Sequence, residues 1–312
     1  MRPVSAGFPR LMPRRIIALV KLRDVVGLMR PRQWTKNLAV FAGIVFAGRL
    51  FDRHLLAISV LAFASFCLVS SALYALNDVL DAERDRQHPV KKDRPVASGR
   101  MSSTSALGVS AVLFIIGSAL AAAAGPSFIA AIGAYVVLQL LYAFALKNVS
   151  IVDMLVIAAG FVLRAVAGAV AIAVPVSPWL VLCTGLLALF LAAAKRRHEI
   201  VLLREFSAGH RPVLAEYSAE LLDSFMVTLS AATITSYALY TFFEAKAPAH
   251  LMMLTIPFVI YGVLRYQSLV LSNDSGGHPE EVLLGDGPIL ADVVLWMAAA
   301  IAVLYLAPRL LG

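Results

Sequence analysis

Nine apolar runs, near residues 41–50, 54–76, 104–124, 127–146, 150–174, 178–194, 220–243, 250–271 and 288–307, set the terms on which this chain can fold. Several reach the ~20 residues that a helix needs to cross the hydrocarbon core of a bilayer. The runs also exceed what a soluble core uses: 60% of the 312 residues are hydrophobic, 15% are charged, and the mean hydropathy is +0.83. The expected fold is an all-α polytopic membrane protein with nine transmembrane helices. The first run is short, so eight is the alternative count.

Lys and Arg sort the loops into two sides. With the N-terminus inside, residues 1–36, 81–100, the turn at Lys147 and 195–211 hold 21 of the 27 basic residues, against four outside, Arg49, Arg53, Lys246 and Arg309. Basic loops are retained on the cytoplasmic side. The chain is therefore expected in the cell (inner or plasma) membrane, with its N-terminus and its dense charge facing the cytoplasm. The net charge of +8 belongs to these loops and comes with no nucleic-acid reader motif. The expected partners are anionic membrane lipid and phosphorylated substrates, with no nucleic acid. Cys67 and Cys183 fall inside expected spans, which argues against a disulfide framework. MRPVSAGFPRLMPRR lacks a continuous apolar core, so no cleavable signal peptide is expected. Residues 14–30 alternate basic and apolar at helical spacing and are expected to lie on the inner leaflet. Residues 1–36 thus form a basic N-terminal segment and 37–312 one membrane domain.

Charge interrupts the apolar pattern most sharply in LNDVLDAERDRQHPVKKDRPVASG, residues 76–99. If the helix continues past Leu76, its 100° step brings Asp78, Asp81 and Asp85 within an arc of roughly 60° and leaves Glu83 on the far side. Three like charges on one face repel by roughly a few tenths of a kcal/mol per pair. A divalent cation reverses that sign. An all-oxygen set with room for water suits Mg²⁺ shared with a substrate's phosphates, whereas one histidine and no cysteine do not suit zinc. His88, Lys91, Lys92 and Arg94 follow at once and suit phosphate oxygens. The plainer reading, a solvated acidic helix end, accounts for one or two carboxylates but poorly for three in phase beside four basic residues.

Asn77, Asp78, Asp81 and Asp85, closed by Arg94, Pro95 and Gly99, resemble the first signature of the UbiA superfamily of intramembrane transferases, N-D-x-x-D-x-x-x-D before a basic segment and an R-P…G close. LKNVSIVDMLVIAAGFVLRAVAGA resembles the fifth span of that superfamily and contributes Lys147, Asp153, Gly160, Arg164 and Gly168. The resemblance implies a nine-helix bundle around a central cavity open to the cytoplasmic side and to lipid, with Mg²⁺ held by Asp78, Asp81 and Asp85. Charges inside a span are expensive, so Asp153 and Arg164, three turns apart, are functional candidates by default. Pairing of each with a neighbouring helix is the competing reading. Gly160 and Gly168 are expected to serve close helix packing.

Members that prenylate aromatic rings carry a second aspartate pair after the sixth span, and KRRHEIVLLREFSAGHRPVLAEYSAELLD at 195–223 has no such pair. It offers Lys195, Arg196, Arg197, His198 and Glu199 instead. Together with RPRQWTKN at 30–37, HPVKKDRPVASG at 88–99 and HPEEVLLGDGPIL at 278–290, it resembles the decaprenyl-phosphate phosphoribosyltransferase branch. That branch implies a Mg²⁺-dependent enzyme transferring 5-phosphoribose from phosphoribosyl pyrophosphate to a polyprenyl phosphate, towards lipid-linked arabinose donors for cell-wall polysaccharide.

On this resemblance Asp78, Asp81, Asp85, Lys91 and Arg94 are the expected catalytic set. Substrate phosphates are expected to meet Lys36, just before the first span, and Asn77, His88, Lys92 and Lys147. Asp153, Arg164 and Lys195 to Glu199 are the expected contacts from the later helices. Which cation serves donor or acceptor stays open. The acceptor is already an anionic phosphate, so no catalytic base is named. Trp34 reads as an interface anchor, Tyr217 as a weak site candidate, and a homo-oligomer is compatible with the pattern. Two alternatives stand beside this reading: an aromatic prenyltransferase of quinone synthesis, and a transporter. The latter places polar residues near the bilayer midplane, whereas the charge here gathers at one face.

Overall fold

The computed structural model describes residues 21–87, 90–205, 216–243, 248–273 and 279–308. Helix α1 (Leu22–Met29) is the described part of the expected interfacial helix; residues 1–20 lie outside the described residues. A 3-10 helix follows over Pro31–Phe41, then a short α2 (Ala42–Phe46). The long α3 (Arg53–Leu80) starts where the Asp52 side chain accepts from the backbone N–H groups of His54 and Leu55, and α4 (Ala82–Arg86) continues it past Asp81. Then come α5 (Ser103–Ala124), α6 (Pro126–Phe144), α7 (Val152–Ala171) and α8 (Pro178–Glu205). The chain closes with α9 (Ala219–Phe243), α10 (Ile256–Asn273), α11 (Pro279–Gly285) and α12 (Gly287–Ile301).

Eight helices among the described residues are long and apolar enough to cross a membrane. The run at 41–50 is not one of them, so the expected nine reduces to eight helices of spanning length plus the composite segment Pro31–Phe46. That segment nevertheless lies antiparallel along α3: Arg30 meets Asp78, Trp34 donates to Ser71 Oγ at 3.1 Å, Asn37 reaches Ser70 and Cys67, and the Phe41 ring packs tilted against Phe63. The pitches explain how the two keep register. Eleven 3-10 steps from Arg30 to Phe41 and fifteen α steps from Asp78 to Phe63 each rise about 22 Å. A run of Pro31, Arg32, Gln33, Thr35, Lys36 and Asn37 does not read as apolar, which is why the hydropathy pattern understates it.

Two apolar clusters build the core and meet on α7. One joins Phe66 and Val69 of α3, Phe128 and Tyr135 of α6, Val40 and Ala167; the other joins Met154, Phe190, Leu222, Met226 and Tyr266. Small residues let the 3-10 segment lie against α7. A Cβ at Gly168 would collide with the Val40 carbonyl, and one at Gly43 would sit 2.8 Å from the Ala169 backbone. Gly168 thus has the packing role expected of it. Outward faces carry exposed Ile115, Val137, Leu264 and Val294, as lipid-facing helices do.

Candidate active site

Asp78 sits in the last turn of α3 with its side chain only 1% exposed. Asp81 caps the helix, and backbone bonds from Asp81 to Asn77 and from Asp85 to Asp81 carry the helical phase across the break. The three carboxylates therefore stay on one side, as their spacing requires, but each already faces a cation. Arg30 pairs with Asp78 Oδ1. The Arg94 Nη1 donates both to the same Asp78 oxygen at 3.2 Å and to Asp85 Oδ2 at 2.5 Å. Lys147 Nζ donates to Asp81 Oδ1 at 2.9 Å, with Arg84 a looser neighbour at 3.8 Å.

The loop that delivers Arg94 is shaped by the R-P…G residues. Arg94 is extended, as a residue before proline prefers. Ser98 N–H returns to the Arg94 carbonyl, and Gly99 turns the chain at φ 76°, a left-handed angle that favours glycine. Val96 and Met101 then pin the loop against Leu28 of α1 and Ala75 of α3. Arg100 donates to Asp24 at 3.1 Å, tying α1 down. Arg30 follows α1 in a left-handed conformation, its guanidinium 5.3 Å over the Tyr74 ring. Burial pulls Arg30 below its ordinary pKa, and Asp78 beside it offsets only part of that pull.

Among the described residues no three His, Cys, Asp or Glu side chains form a ready metal centre. Arg94 is wedged between Asp78 and Asp85, and Asp81 is turned to Lys147. The donor set still suits a hard cation in kind, being all oxygen, and Asp78 Oδ2 is buried without a hydrogen-bond partner. A buried, unsatisfied carboxylate oxygen is costly, and a Mg²⁺ ligand position would relieve it.

Other expected site residues fall in three places. Lys91 is half-buried and Lys92 exposed on the short 3-10 turn before Arg94, Asn77 is half-buried beside Asp78, and His88 lies outside the described residues. Asp153, fully buried, accepts from Arg196 Nε and from Tyr217 at 2.8 Å; Arg196 also pairs with Glu199 and donates to Tyr142 at 3.1 Å. Burial pushes the Tyr217 phenol up, which keeps it a donor. Arg164 donates to Asn37 at 2.7 Å, to the Gly160 carbonyl at 2.8 Å and to Tyr135 at 2.7 Å. Asp153 and Arg164 thus belong to separate networks three turns apart. Arg197, one 100° step from Arg196, points to α9 and binds Asp223 at 2.6 Å. His198 is half-buried on α8.

Arg30, Asn37, Tyr135 and Tyr142 are polar members of these networks that their local sequence does not mark. Arg30 is 48 residues from Asp78, and only the RPRQWTKN resemblance hinted at it. Trp34, expected as an interface anchor, is half-buried and its indole N–H donates to Ser71 Oγ at 3.1 Å. A concavity of about 530 Å³ bordered by Pro257, Tyr261, Leu264 and Arg265 opens on α10. It touches none of the candidate residues, and Arg265 is spent on Asp286 at 2.9 Å.

Residues 37–278 match the model of the UbiA prenyltransferase family. The chain is 34% identical over 292 residues to the decaprenyl-phosphate phosphoribosyltransferase of Corynebacterium glutamicum, covering 91% of this chain and 87% of that protein. It is 35% identical over 280 residues to the protein of the same name from Mycobacterium tuberculosis, covering 88% and 92%. Its fold resembles that of a UbiA homologue from Archaeoglobus fulgidus bound to GPP and Mg²⁺, with a TM-score of 0.69 at 20% identity over 90% of this chain and 99% of the other.

Proposed function

The chain belongs to the UbiA prenyltransferase family, and from that membership we infer that it transfers 5-phosphoribose from phosphoribosyl pyrophosphate to a polyprenyl phosphate, releasing pyrophosphate. The relatives that carry this reading span nearly the whole chain. The observation that carries it within the chain itself is the interleaving of Asp78, Asp81 and Asp85 with Arg30, Arg94 and Lys147. Carboxylates and fixed cations so close together suit a metal-bound pyrophosphate better than either charge alone.

Mg²⁺, when bound, supplies Lewis acidity and neutralises charge on the leaving pyrophosphate. Asp78, with its unsatisfied Oδ2, and Asp85 and Asp81 are the residues that would hold it. Arg30, Arg94 and Lys147 are then freed to bind phosphate oxygens and stabilise the negative charge that grows as the bond to ribose C1 breaks. One well-aimed donor of this kind is worth about 2–4 kcal/mol. The acceptor phosphate attacks as an anion, so no side chain has to take a proton. Asp153, Arg196, Glu199 and Tyr217 fasten α7 to α8 behind the site, and Arg164 fastens α7 to the 3-10 segment. Arg197 belongs to the α8–α9 contact.

The charge split of the loops supports a multi-pass arrangement in the cell membrane with this cluster on the cytoplasmic face, where a water-soluble donor enters and the lipid arrives from the inner leaflet. The product, a lipid-linked phosphoribose, suits a route to arabinose donors for cell-wall polysaccharide. The test is purified protein with Mg²⁺, labelled phosphoribosyl pyrophosphate and decaprenyl phosphate, scored for labelled lipid. Label requiring an aromatic acid and a prenyl pyrophosphate instead would sink the assignment.

A further inference from the structure

The entry to α7 bends through a residue that resists the bend. Ile151, immediately before the helix, has φ 65° and ψ −45°. Arg30, also at positive φ, has ψ 62° and falls in the small left-handed helical well. Ile151 does not. Its angles, with the Val152 N–H returning to the Ser150 carbonyl at 2.7 Å, make the rare, strained form of three-residue turn, and a β-branched side chain makes that turn costlier. The side chain is 50% exposed, so burial does not hold it there.

The φ angle of Ile151 fixes the peptide that joins it to Ser150, and both polar atoms of that peptide are engaged. The carbonyl takes the Val152 N–H, and the Ile151 N–H donates to the Tyr217 phenolic oxygen at 2.5 Å. Tyr217, two residues before α9, is buried and donates in its turn to Asp153 Oδ1 at 2.8 Å. One hydroxyl thus grips the strained residue and the carboxylate in the first turn of the helix it leads into. Strain of this kind persists only where the surroundings over-determine it.

What the turn carries is Lys147. It sits four residues upstream on the 3-10 turn Leu146–Asn148, is buried, and donates to Asp81 at 2.9 Å. Val149, between the two, accepts from the Asp153 N–H at 3.0 Å. Return of Ile151 to an ordinary φ near −63° is a rotation of roughly 130°. That rotation breaks the Ser150 to Val152 bond, swings Leu146–Asn148 against α7 and takes the Lys147 ammonium off Asp81.

We propose that Tyr217 is a positioning residue for the transfer reaction, its phenol holding Ile151 in the strained turn that aims Lys147 at the carboxylate cluster. This rests on the phosphoribosyl-transfer reading, in which Lys147 binds a phosphate oxygen of the donor. Tyr217 acts through the backbone and needs no contact with substrate.

Tyr217→Phe removes the grip and keeps the ring. The expected result is a donor KM raised about tenfold, with the acceptor KM within about twofold of wild type. In the substrate-free protein Lys147 should react about tenfold faster with an amine-acylating reagent, read by peptide mass spectrometry. Adding Ile151→Gly should reverse both effects, because glycine takes positive φ without the grip, although it cannot restore the bond to Asp153. Ile151→Gly alone should match wild type. Ile151→Pro, which forbids positive φ and leaves Tyr217 on Asp153, should reproduce both effects, and it serves where Tyr217→Phe does not fold. A donor KM or a Lys147 reactivity within about twofold of wild type in either folded variant overturns the proposal and leaves the reaction assignment standing. Losses in Tyr217→Phe that Ile151→Gly does not reverse overturn it as well. The acylation pattern in a protein that transfers no phosphoribose would end the reaction assignment and leave Tyr217 as the group that positions Lys147.

Discussion

Replacing Arg30 with glutamine should tighten metal binding and weaken donor binding at once. In the structure Arg30 and Arg94 share Asp78 Oδ1 while Oδ2 has no hydrogen-bond partner, so a metal ion bound through Oδ2 competes with two guanidinium groups for the charge of one carboxylate. A hydrogen bond to a charged group is worth about 1.5–3 kcal/mol. Arg30 keeps 23% of its side chain exposed and Arg94 remains at 3.2 Å, which places the loss at the lower end. The expected gain in metal affinity is about tenfold, or about 1.4 kcal/mol. Free and bound Mn²⁺ can be counted by electron paramagnetic resonance on purified protein without donor. The same variant should bind phosphoribosyl pyrophosphate about tenfold more weakly, because the Arg30 guanidinium is proposed to bind phosphate oxygens. Unchanged or weaker Mn²⁺ binding in Arg30→Gln would refute the competition at Asp78.

Asp153→Asn leaves the buried Arg196 with Glu199 as its remaining carboxylate and should destabilise the protein by about 3 kcal/mol, read from thermal unfolding in detergent; wild-type stability with lost turnover would instead make Asp153 a substrate residue. Gly168→Ala should destabilise by about 1–3 kcal/mol through the Val40 carbonyl, whereas Gly133→Ala, where a Cβ meets nothing within 4 Å, should be neutral or stabilising by up to about 1 kcal/mol. In a background lacking Cys67 and Cys183, a cysteine at Ser98 should react with impermeant maleimide only in inverted vesicles and one at His54 only in intact cells; labelling of both from one side would break the proposed topology.

The carboxylate cluster was legible because it is local: a helix phase over eight residues fixes the side on which Asp78, Asp81 and Asp85 fall, and the structure keeps that phase even though α3 pauses at Asp81. Its cations were half legible. Arg94 and Lys147 stand in quoted motifs, but the bond from Arg30 to Asp78 spans 48 residues and depends on how α1 docks against the Arg94–Met101 loop. The basic run at 195–197 shows the limit of composition. Helix geometry sends Arg196 to Asp153 and Arg197 to Asp223, two fates for two adjacent cations. The segment before α3 escaped hydropathy for a different reason, since a 3-10 helix covers the same height with fewer residues and carries polar side chains against a polar seam.

The central claim is that Asp78 and Asp85 hold the metal-bound pyrophosphate of the donor. Its most direct test is transfer of labelled phosphoribose to decaprenyl phosphate by Asp78→Asn and Asp85→Asn protein, at saturating substrates and over a Mg²⁺ titration, with unfolding temperatures recorded to confirm that both variants fold. Each should lose about a hundredfold or more in kcat, since stabilisation of the leaving group is removed while side-chain shape is kept. Turnover within tenfold of wild type in either folded variant, at the same Mg²⁺ requirement, would contradict the claim.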